Sequence, residues 1–370
     1  MKWPIGNTLQ VFLLLVASSM KDEQAANKRL KGYLMEMPAQ RFFAFAIMCL
    51  AVMTARAVEQ LTVPQLLYKF AQTQNKLGSF RVTGKCTIKA EASFWSGVVY
   101  SSGLHDVRGD GERISTRISR WGEIEPGRQI PENEPAYSNH TWDGNNYLRY
   151  SKGSGSGGTR RVVISTKQSS WEVKRLQTGH IAGPLWGFFA GAMDRVDVVL
   201  RGARDISIRR KIEQVNGFEC YVVDAETNWG RYTVWFDRNH GHNIAKASVE
   251  YAAGKDYLFY GQPFDKAGKK MDWSIEITGF KEVGDVWVPT QARQINYRVF
   301  DDKCNYERSQ ATTTLTEVIA NPDHKRVRSF LPDDIPNGVD VFIVGAKGNP
   351  HTWQNGKVVD ETGKVIMDFN

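Results

Sequence analysis

The chain has few cysteines, and none lies in a metal-binding spacing. Four occur among 370 residues, and the three beyond residue 57 (Cys86, Cys220 and Cys304) are far apart. An odd number at these separations allows at most one disulfide among them. It excludes a disulfide-rich scaffold and a Cys/His zinc site. The fold must therefore depend on an apolar core, which about 310 residues are enough to bury.

Catalytic sequence motifs are missing as well. The chain contains neither the GxSxG turn of serine hydrolases nor the HExxH helix of zinc peptidases, and its seven histidines are dispersed. The glycine- and serine-rich stretch Gly153–Gly158 is not followed by Lys-Ser/Thr or by a helical pattern. It predicts a loop rather than a nucleotide site. We expect a protein that is not an enzyme and that uses no cofactor.

Two small groups of polar residues remain as candidates for a metal-binding or catalytic site. His240 and His242 share a predicted turn with Asp237, but such residues usually serve the turn, so we predict no metal site. Asp106 and Asp110 would act as the paired carboxylates of a glycosidase only if they faced each other across a cleft. A glycan-active enzyme is therefore the weakest of the functional hypotheses.

No apolar run is long enough to span a bilayer, which takes about 20 residues. The most apolar stretch, Arg41–Ala57, has a basic residue, then the apolar run Phe42–Met53, then Ala55-Arg56-Ala57. This order is typical of a secretory signal peptide. We predict cleavage near Ala57, a mature N-terminus near Val58, and a periplasmic or secreted protein of bacterial type.

The whole of residues 1–57 is predicted to be a leader. The part before the signal peptide is best interpreted as a start codon assigned too early, with Met35 or Met37 as the first residue. A long basic n-region, a retained anchor and lipidation at Cys49 are the alternatives. The rest divides into a main domain, 58–328, and a C-terminal extension, 329–370, at the turn-rich segment Phe330–Gly338.

Charge of one sign is not in excess once the leader is set aside. The net charge of the full chain is +8, but the leader carries seven of the 48 basic residues and three of the 40 acidic ones. The remainder has a balance of +4, spread over alternating positions such as Arg113, Arg117 and Arg120. This is typical of a solvated sheet face, and we expect no nucleic acid as a partner.

β patterns dominate what the sequence does contain. Eleven tryptophans and frequent Val and Thr favour strands. Apolar and polar residues alternate along Gly111–Trp121, which predicts a strand with one wet face, whereas the three prolines of Glu123–Pro135 predict a loop. Asp143-Gly144 and Asn216-Gly217 stand between strand-like arms and predict hairpins. We predict a mainly β (α+β) fold: a large antiparallel sheet curled into an incomplete barrel, with helices covering its apolar face.

Two segments break the β pattern. Thr62-Val63-Pro64-Gln65 is a capping box that opens an amphipathic helix, Val63–Leu77. Pro184–Leu200 is predicted to be one helix, or a loop running into one, with large apolar side chains beside three glycines. These side chains either pack on the sheet as core or cover and line an apolar cavity together with the first helix. The predicted cavity and lid residues are Trp186, Phe188, Phe189, Met193, Leu66 and Phe70.

The chain resembles the periplasmic outer-membrane lipoprotein carrier superfamily, which includes LolA, LolB and RseB. The resemblance lies in the leader, the helix Val63–Leu77, the strand that opens Phe80-Arg81-Val82-Thr83-Gly84, and the pair Gly230–Asp237 and His242–Lys246. It covers roughly residues 63–319 and implies an incomplete antiparallel barrel, closed by helices over a cavity that takes acyl chains. It carries over no functional residue, although Arg195 and Arg201 are candidates for an arginine that gates the lid.

Two functional hypotheses follow. The first is an exported binding protein that holds the acyl chains of lipoproteins or another amphipathic lipid between sheet and helices. The second is a periplasmic sensor, regulator or scaffold similar to RseB, with a membrane-associated protein as partner.

Overall fold

In a computed structural model of the chain, the structure describes residues 61–153, 159–166, 170–264, 268–301, 305–346 and 350–369. The predicted leader, its cleavage site and Cys304 lie outside these residues. Within them, no helix has the length and apolar character needed to cross a membrane. Cys86 and Cys220 are buried free thiols.

The first described element is the predicted amphipathic helix, α1 (Val63–Lys76). The Thr62 side chain accepts from the backbone of Gln65, and the Gln65 side chain accepts from the backbone N–H of Thr62, so the predicted capping box is confirmed. The face that carries Leu66, Leu67 and Phe70 is buried, as the helical spacing indicates.

The strands follow in an almost continuous series. Before the central helices lie β1 (Ser79–Ala92), β2 (Val98–Asp110), β3 (Arg113–Glu125), β4 (Arg128–Ile130), β5 (Ala136–Trp142), β6 (Tyr147–Lys152) and β7 (Arg160–Ser165). After them lie β8 (Asp205–Ile208), β9 (Glu213–Val215), β10 (Phe218–Thr227), β11 (Gly230–Asp237), β12 (Ile244–Ala252), β13 (Leu258–Phe259), β14 (Gln262–Pro263), β15 (Lys270–Val283), β16 (Val286–Val299) and β17 (Tyr306–Ala320). The last strands are β18 (Asp340–Ile343), β19 (His351–Gln354), β20 (Lys357–Val359) and β21 (Val365–Asp368).

Nineteen of the described strands form one sheet, and β13 and β14 pair separately. Neighbouring strands run in the order β10, β11, β12, β15, β16, β17, β1, β2, β3, β5, β6, β7, β18, β19, β20, β21, with β8 and β9 beyond β10 and β4 on β3. No described pairing joins the two ends, so the sheet is open. The predicted mainly β fold with an unclosed sheet is confirmed. Its pairs are antiparallel except β7 with β18.

The sequence prediction for Glu123–Pro135 differs from the structure. Strand β3 continues to Glu125 and forms a tight hairpin with β4, because Pro126-Gly127 makes the turn and Pro131 stops the short return strand. Pro126 therefore lies in the hairpin turn and Pro131 follows the return strand, and the segment is not one long loop.

Of the two predictions for Pro184–Leu200, the single helix is wrong, whereas the loop that runs into a helix describes residues 187–201. Three short helices occur in this part of the chain: α2 (Ser170–Gln177), α3 (Ala182–Trp186) and α4 (Val196–Arg201). Helix α3 ends because Gly187 adopts φ +71°, and Ala190 and Gly191 also have positive φ, which an α-helix does not allow. The backbone therefore turns between α3 and α4. Helix α2 was not predicted.

Buried apolar residues form three clusters. The first joins α1 and α4 to β10–β16, and it contains Leu66, Phe70, Leu200, Tyr232 and Phe236. The second joins α3 to the β1–β3 region, and the third joins β6 and β7 to the strands of the C-terminal extension. Helices thus cover the apolar face, as predicted.

The C-terminal extension is attached to the outer side of β3 and β5 before its strands join the sheet. Arg117 donates to a carboxylate oxygen of Asp333 over 2.8 Å. Asn139 donates to Asp334 over 2.8 Å, and the Tyr137 hydroxyl donates to the same carboxylate. These contacts fix the turn-rich boundary segment, so that β18 can lie beside β7.

Candidate functional site

The predicted lid residue Trp186 lies in the packed core under α3. Its ring meets the ring of Phe80 edge-on, with centroids 4.8 Å apart, and its Nε1 donates to the Leu77 carbonyl over 3.4 Å. An indole in such contacts on several sides contributes to the stability of the β1–α3 junction.

Three more of the predicted residues are also buried core. Leu66 is enclosed in the first cluster, and Phe70 packs edge-on against Phe236 at 5.4 Å. Phe189 lies edge-on to both Tyr232 and Trp273, at 6.3 and 6.2 Å. Phe188 and Met193 are only partly buried. The ligand-binding role of these six residues stays a prediction.

The two candidate gating arginines tie α4 to α1. Asp197 is fully buried, and Arg195 and Arg201 donate to its two carboxylate oxygens over 2.5 and 2.8 Å. Arg195 also donates to the Asn75 side chain, and Arg201 to the Leu67 carbonyl. Arg195 and Arg201 thus link the two ends of α4 to α1.

A cavity of about 590 Å³ lies one segment earlier in the chain, where the sequence predicted nothing. Its floor is the inner face of β2, β3, β5 and β6, and its cover is the stretch Glu172–Ala182, from α2 to the start of α3. Tyr260 and Trp273 complete one side. None of the six predicted residues belongs to the described lining.

Strand register explains why space remains at this place. The strands β2, β3, β5 and β6 place Val107, Thr116, His140 and Arg149 in one cross-strand row. The next row holds His105, Ile118 and Ser138. Val107, Thr116 and Ser138 are the small side chains of these two rows, and Ala136 lies in the row beyond them. The row on the other side holds the large side chains of Ile114, Trp142 and Tyr147. Small side chains under a covering helix leave a void that large ones would fill.

Apolar side chains of the lining stand among polar ones, since Val107 pairs with Thr116 and Ile118 pairs with His105. Val107 and Ile118 lie on the floor, and Leu176 and Ile181 face them from the cover, with Trp273 at the edge. The volume lies within the range of about 300–1,000 Å³ that small-molecule sites occupy. An acyl or other apolar group would be desolvated between these side chains.

Two histidines of the cavity lining have lowered pKa values and are neutral near pH 7. Burial, the nearby His180 and the Arg120 guanidinium together lower the pKa of His105 to about 4. Burial also lowers the pKa of His180, although its Nδ1 lies 2.8 Å from the side-chain oxygen of Gln294. That bond to β16 fixes the cover to the sheet.

Positive charge in the lining comes from two arginines. Arg120 and Arg149 both contribute to the cavity, and neither forms an ion pair or a side-chain hydrogen bond with any other residue that the structure describes. Thr116 is 8% exposed, and its hydroxyl also has no hydrogen-bond partner in the described chain. A buried hydroxyl without a partner is costly, and because this oxygen is itself enclosed, a ligand reaches it only after a change of the Thr116 rotamer.

The polar groups singled out in the sequence have structural partners. Burial alone would raise the pKa of Asp106, but hydrogen bonds from Arg108 and Arg81 outweigh it and lower the pKa. A general acid needs a raised pKa, so this arrangement does not favour the paired-carboxylate hypothesis. His240 hydrogen-bonds the buried Asp237 at 2.6 Å. No group of His, Cys, Asp and Glu in the described residues is arranged to hold a metal.

A sequence signal for the cavity existed but was weak. The inner face of β3 carries Ile114, Thr116, Ile118 and Arg120, so apolar and polar residues alternate on it. The pairing of β3 with β5 and β6 decides which residues join it, and the sequence does not specify this register.

No protein-family model matches the chain, and no curated protein matches it. Three solved structures are similar to it. A DUF1329 family protein from Desulfovibrio piger is 13% identical with a TM-score of 0.38, over 70% of this chain and 94% of that one. The Pseudomonas aeruginosa MucA/MucB complex is 8% identical with a TM-score of 0.23, over 72% and 96%. Lipovitellin is 9% identical with a TM-score of 0.28, over 66% and 26%. All three TM-scores are below 0.5.

Proposed function

We propose that the chain is an exported binding protein that holds the acyl chain of a lipoprotein or of another amphipathic lipid in the cavity under Glu172–Ala182. The observation that carries this proposal is the cavity of about 590 Å³ between the sheet and a short helical cover, with Val107, Ile118, Leu176 and Ile181 in its lining. Concave sites of this size that combine apolar side chains with polar groups are typical of ligand-binding proteins.

The cover is held in place over the cavity. It is a short helix followed by a turn at Gly179-His180, and the His180–Gln294 pair fixes it to β16. Its residues Val173, Ile181 and Ala182 are also buried in the second core cluster. Export supports the same function, because the sequence predicts a signal peptide ahead of the described residues.

A cavity-filling variant tests this function. Ser138 lies on the floor with a small side chain, so Ser138→Trp should fill the cavity. Thr312→Trp places the same ring at an exposed position of β17 and is the matched control. A fluorescent fatty-acid analogue should bind wild type and Thr312→Trp saturably, and Ser138→Trp at least tenfold more weakly, on the order of 1.4 kcal/mol.

The thermal midpoint of each variant shows whether it is folded. Equal binding by a folded Ser138→Trp variant would overturn the cavity as the site, and no saturable binding to wild type would overturn the function. Mass spectrometry of lipids that co-purify with the exported protein would identify the natural ligand. The sensor or scaffold hypothesis and the glycan-active hypothesis stay predictions, since no feature of the described chain favours either.

A further inference from the structure

The cavity lining contains charged and polar side chains as well as apolar ones. Arg120 and Arg149 line it without ion-pair partners in the described chain, and they stand on β3 and β6, two strands apart. Strand alternation puts both side chains on the face that carries Thr116 and His140, with Arg149 in the row of His140 and Arg120 in the row of Ala136. Arg149 is partly buried and Arg120 is exposed, so both guanidinium groups can reach an anion that enters from solvent.

A hydroxyl supports the same conclusion independently. Thr116 lies in the row of Arg149 and His140, is more than nine-tenths buried, and has no hydrogen-bond partner for its Oγ1 in the described chain. The residue lines the cavity while its oxygen is enclosed, so a change of rotamer is needed to turn the hydroxyl toward a bound molecule that would supply the missing partner. A threonine hydroxyl can donate one hydrogen bond to a carboxylate or phosphate oxygen.

The other titratable residues of the described lining do not cancel the positive charge of the two arginines. His105 and His180 are neutral near pH 7, and the His140 ring lies 2.8 Å from the Tyr147 hydroxyl. Glu172 is the acidic residue of the described lining, and it has an interaction partner of its own. The described lining therefore has two cations against one carboxylate.

We propose that the ligand is an amphipath with an anionic head, a carboxylate or a phosphate, held by Arg149 and Arg120 with a hydrogen bond from Thr116. Its apolar part lies between Val107, Ile118 and the cover. This proposal rests on the proposed function, because it assigns the chemistry of the ligand in the same cavity.

Two probes with the same tail separate the head from the tail. Dodecyl phosphate and the uncharged dodecyl maltoside are titrated into the protein by calorimetry, both below their micelle concentrations, and inorganic phosphate is titrated alone. Wild type should bind dodecyl phosphate at least about tenfold more tightly than dodecyl maltoside, since hydrogen bonds to charged groups contribute that much. Inorganic phosphate should bind far more weakly than dodecyl phosphate, because it lacks the tail.

Substitutions assign the head to the named residues. Arg149→Gln, and to a similar extent Arg120→Gln, should weaken dodecyl phosphate at least about tenfold and leave dodecyl maltoside within about twofold. Thr116→Val should weaken dodecyl phosphate without lowering the thermal midpoint, since it removes a hydroxyl that has no protein partner. Arg128→Gln, which changes an exposed arginine paired with Glu125, is the control and should change neither affinity.

Each other outcome overturns a distinct claim. Equal affinity for the two dodecyl probes, or equal loss in Arg149→Gln and Arg128→Gln, overturns the anionic head. Binding of inorganic phosphate as tight as that of dodecyl phosphate shows a site for a free anion and overturns the amphipathic ligand. If neither dodecyl probe binds wild type, the proposed function itself fails.

Discussion

Gly109 on β2 lies directly beneath the indole of Trp186, so closely that a Cβ at this position would overlap the ring. The same Cβ would lie 2.9 Å from the Phe80 ring. The junction of α3 with the sheet therefore requires a glycine, because no larger side chain leaves room for the tryptophan. Since α3 follows the cover of the cavity, this contact also positions the cover.

Gly109→Ala should destabilise the protein by about 1–3 kcal/mol, since the added methyl forces the two rings to shift. Gly202→Ala is the matched control, because a Cβ there would meet nothing closer than 3.7 Å and its φ of −88° suits any residue. Urea unfolding of both variants measures the difference. Equal unfolding midpoints for Gly109→Ala and wild type would show that the junction is looser than described.

Neighbouring positions on α1 should respond in opposite ways to one substitution. Leu67 is 1% exposed and Tyr68 is 60% exposed. Leu67→Asp would place a carboxylate in the first core cluster and should cost at least about 4 kcal/mol, whereas Tyr68→Asp should stay within about 0.5 kcal/mol. Chemical denaturation distinguishes the two. Similar losses would mean that α1 does not pack on the sheet by this face.

Asp197 should be essential to the connection between α4 and α1. Asp197→Asn leaves Arg195 and Arg201 without the charge that they share, and breaking a buried ion pair typically costs about 3–5 kcal/mol. Both arginines are partly exposed, which places the expected loss near the lower limit. Asp205→Asn, at an exposed position of β8, is the control. The thermal midpoints of the two variants provide the comparison, and no drop in Asp197→Asn would contradict the assignment.

Acid should destabilise the protein between pH 6.5 and 4. The pKa of His105 is about 4 in the folded state against 6.5 for an ordinary histidine, so the unfolded chain binds more protons in this window. Stability therefore rises with pH across the window and is lost as pH falls through it, by up to roughly 3 kcal/mol for this residue. Burial lowers the pKa of His180, His242 and His324 in the same direction.

His105→Gln should flatten this dependence, because glutamine has no proton to bind. The measurement is the free energy of unfolding by urea at several pH values between 4 and 7. A variant with the same slope as wild type would show that His105 is not the source of the acid sensitivity.

Local sequence chemistry determined several elements by itself. The Thr62–Gln65 capping box fixed the start of α1, since its hydrogen bonds form within four residues. The Asn216-Gly217 pair predicted the β9–β10 hairpin, because Asn and Gly adopt the positive φ that a tight turn needs. Alternation along β3 predicted a strand with one buried and one wet face; Ile114 is buried as predicted, but Ser115 on the other face is also fully buried, so that face is not wet along its length.

The tertiary structure decided where the chain turns inside Pro184–Leu200 and where space remains. Trp186 and Phe189 have the composition of a lid, yet they fill cores, because the backbone turns at Gly187 and directs each toward a different cluster. The cavity was not predictable, because it depends on the register that brings Thr116, His140 and Arg149 into one row. Each strand presents alternate residues to the cavity, but only the pairing of strands sets which residues meet, and that depends on the packing of the whole sheet.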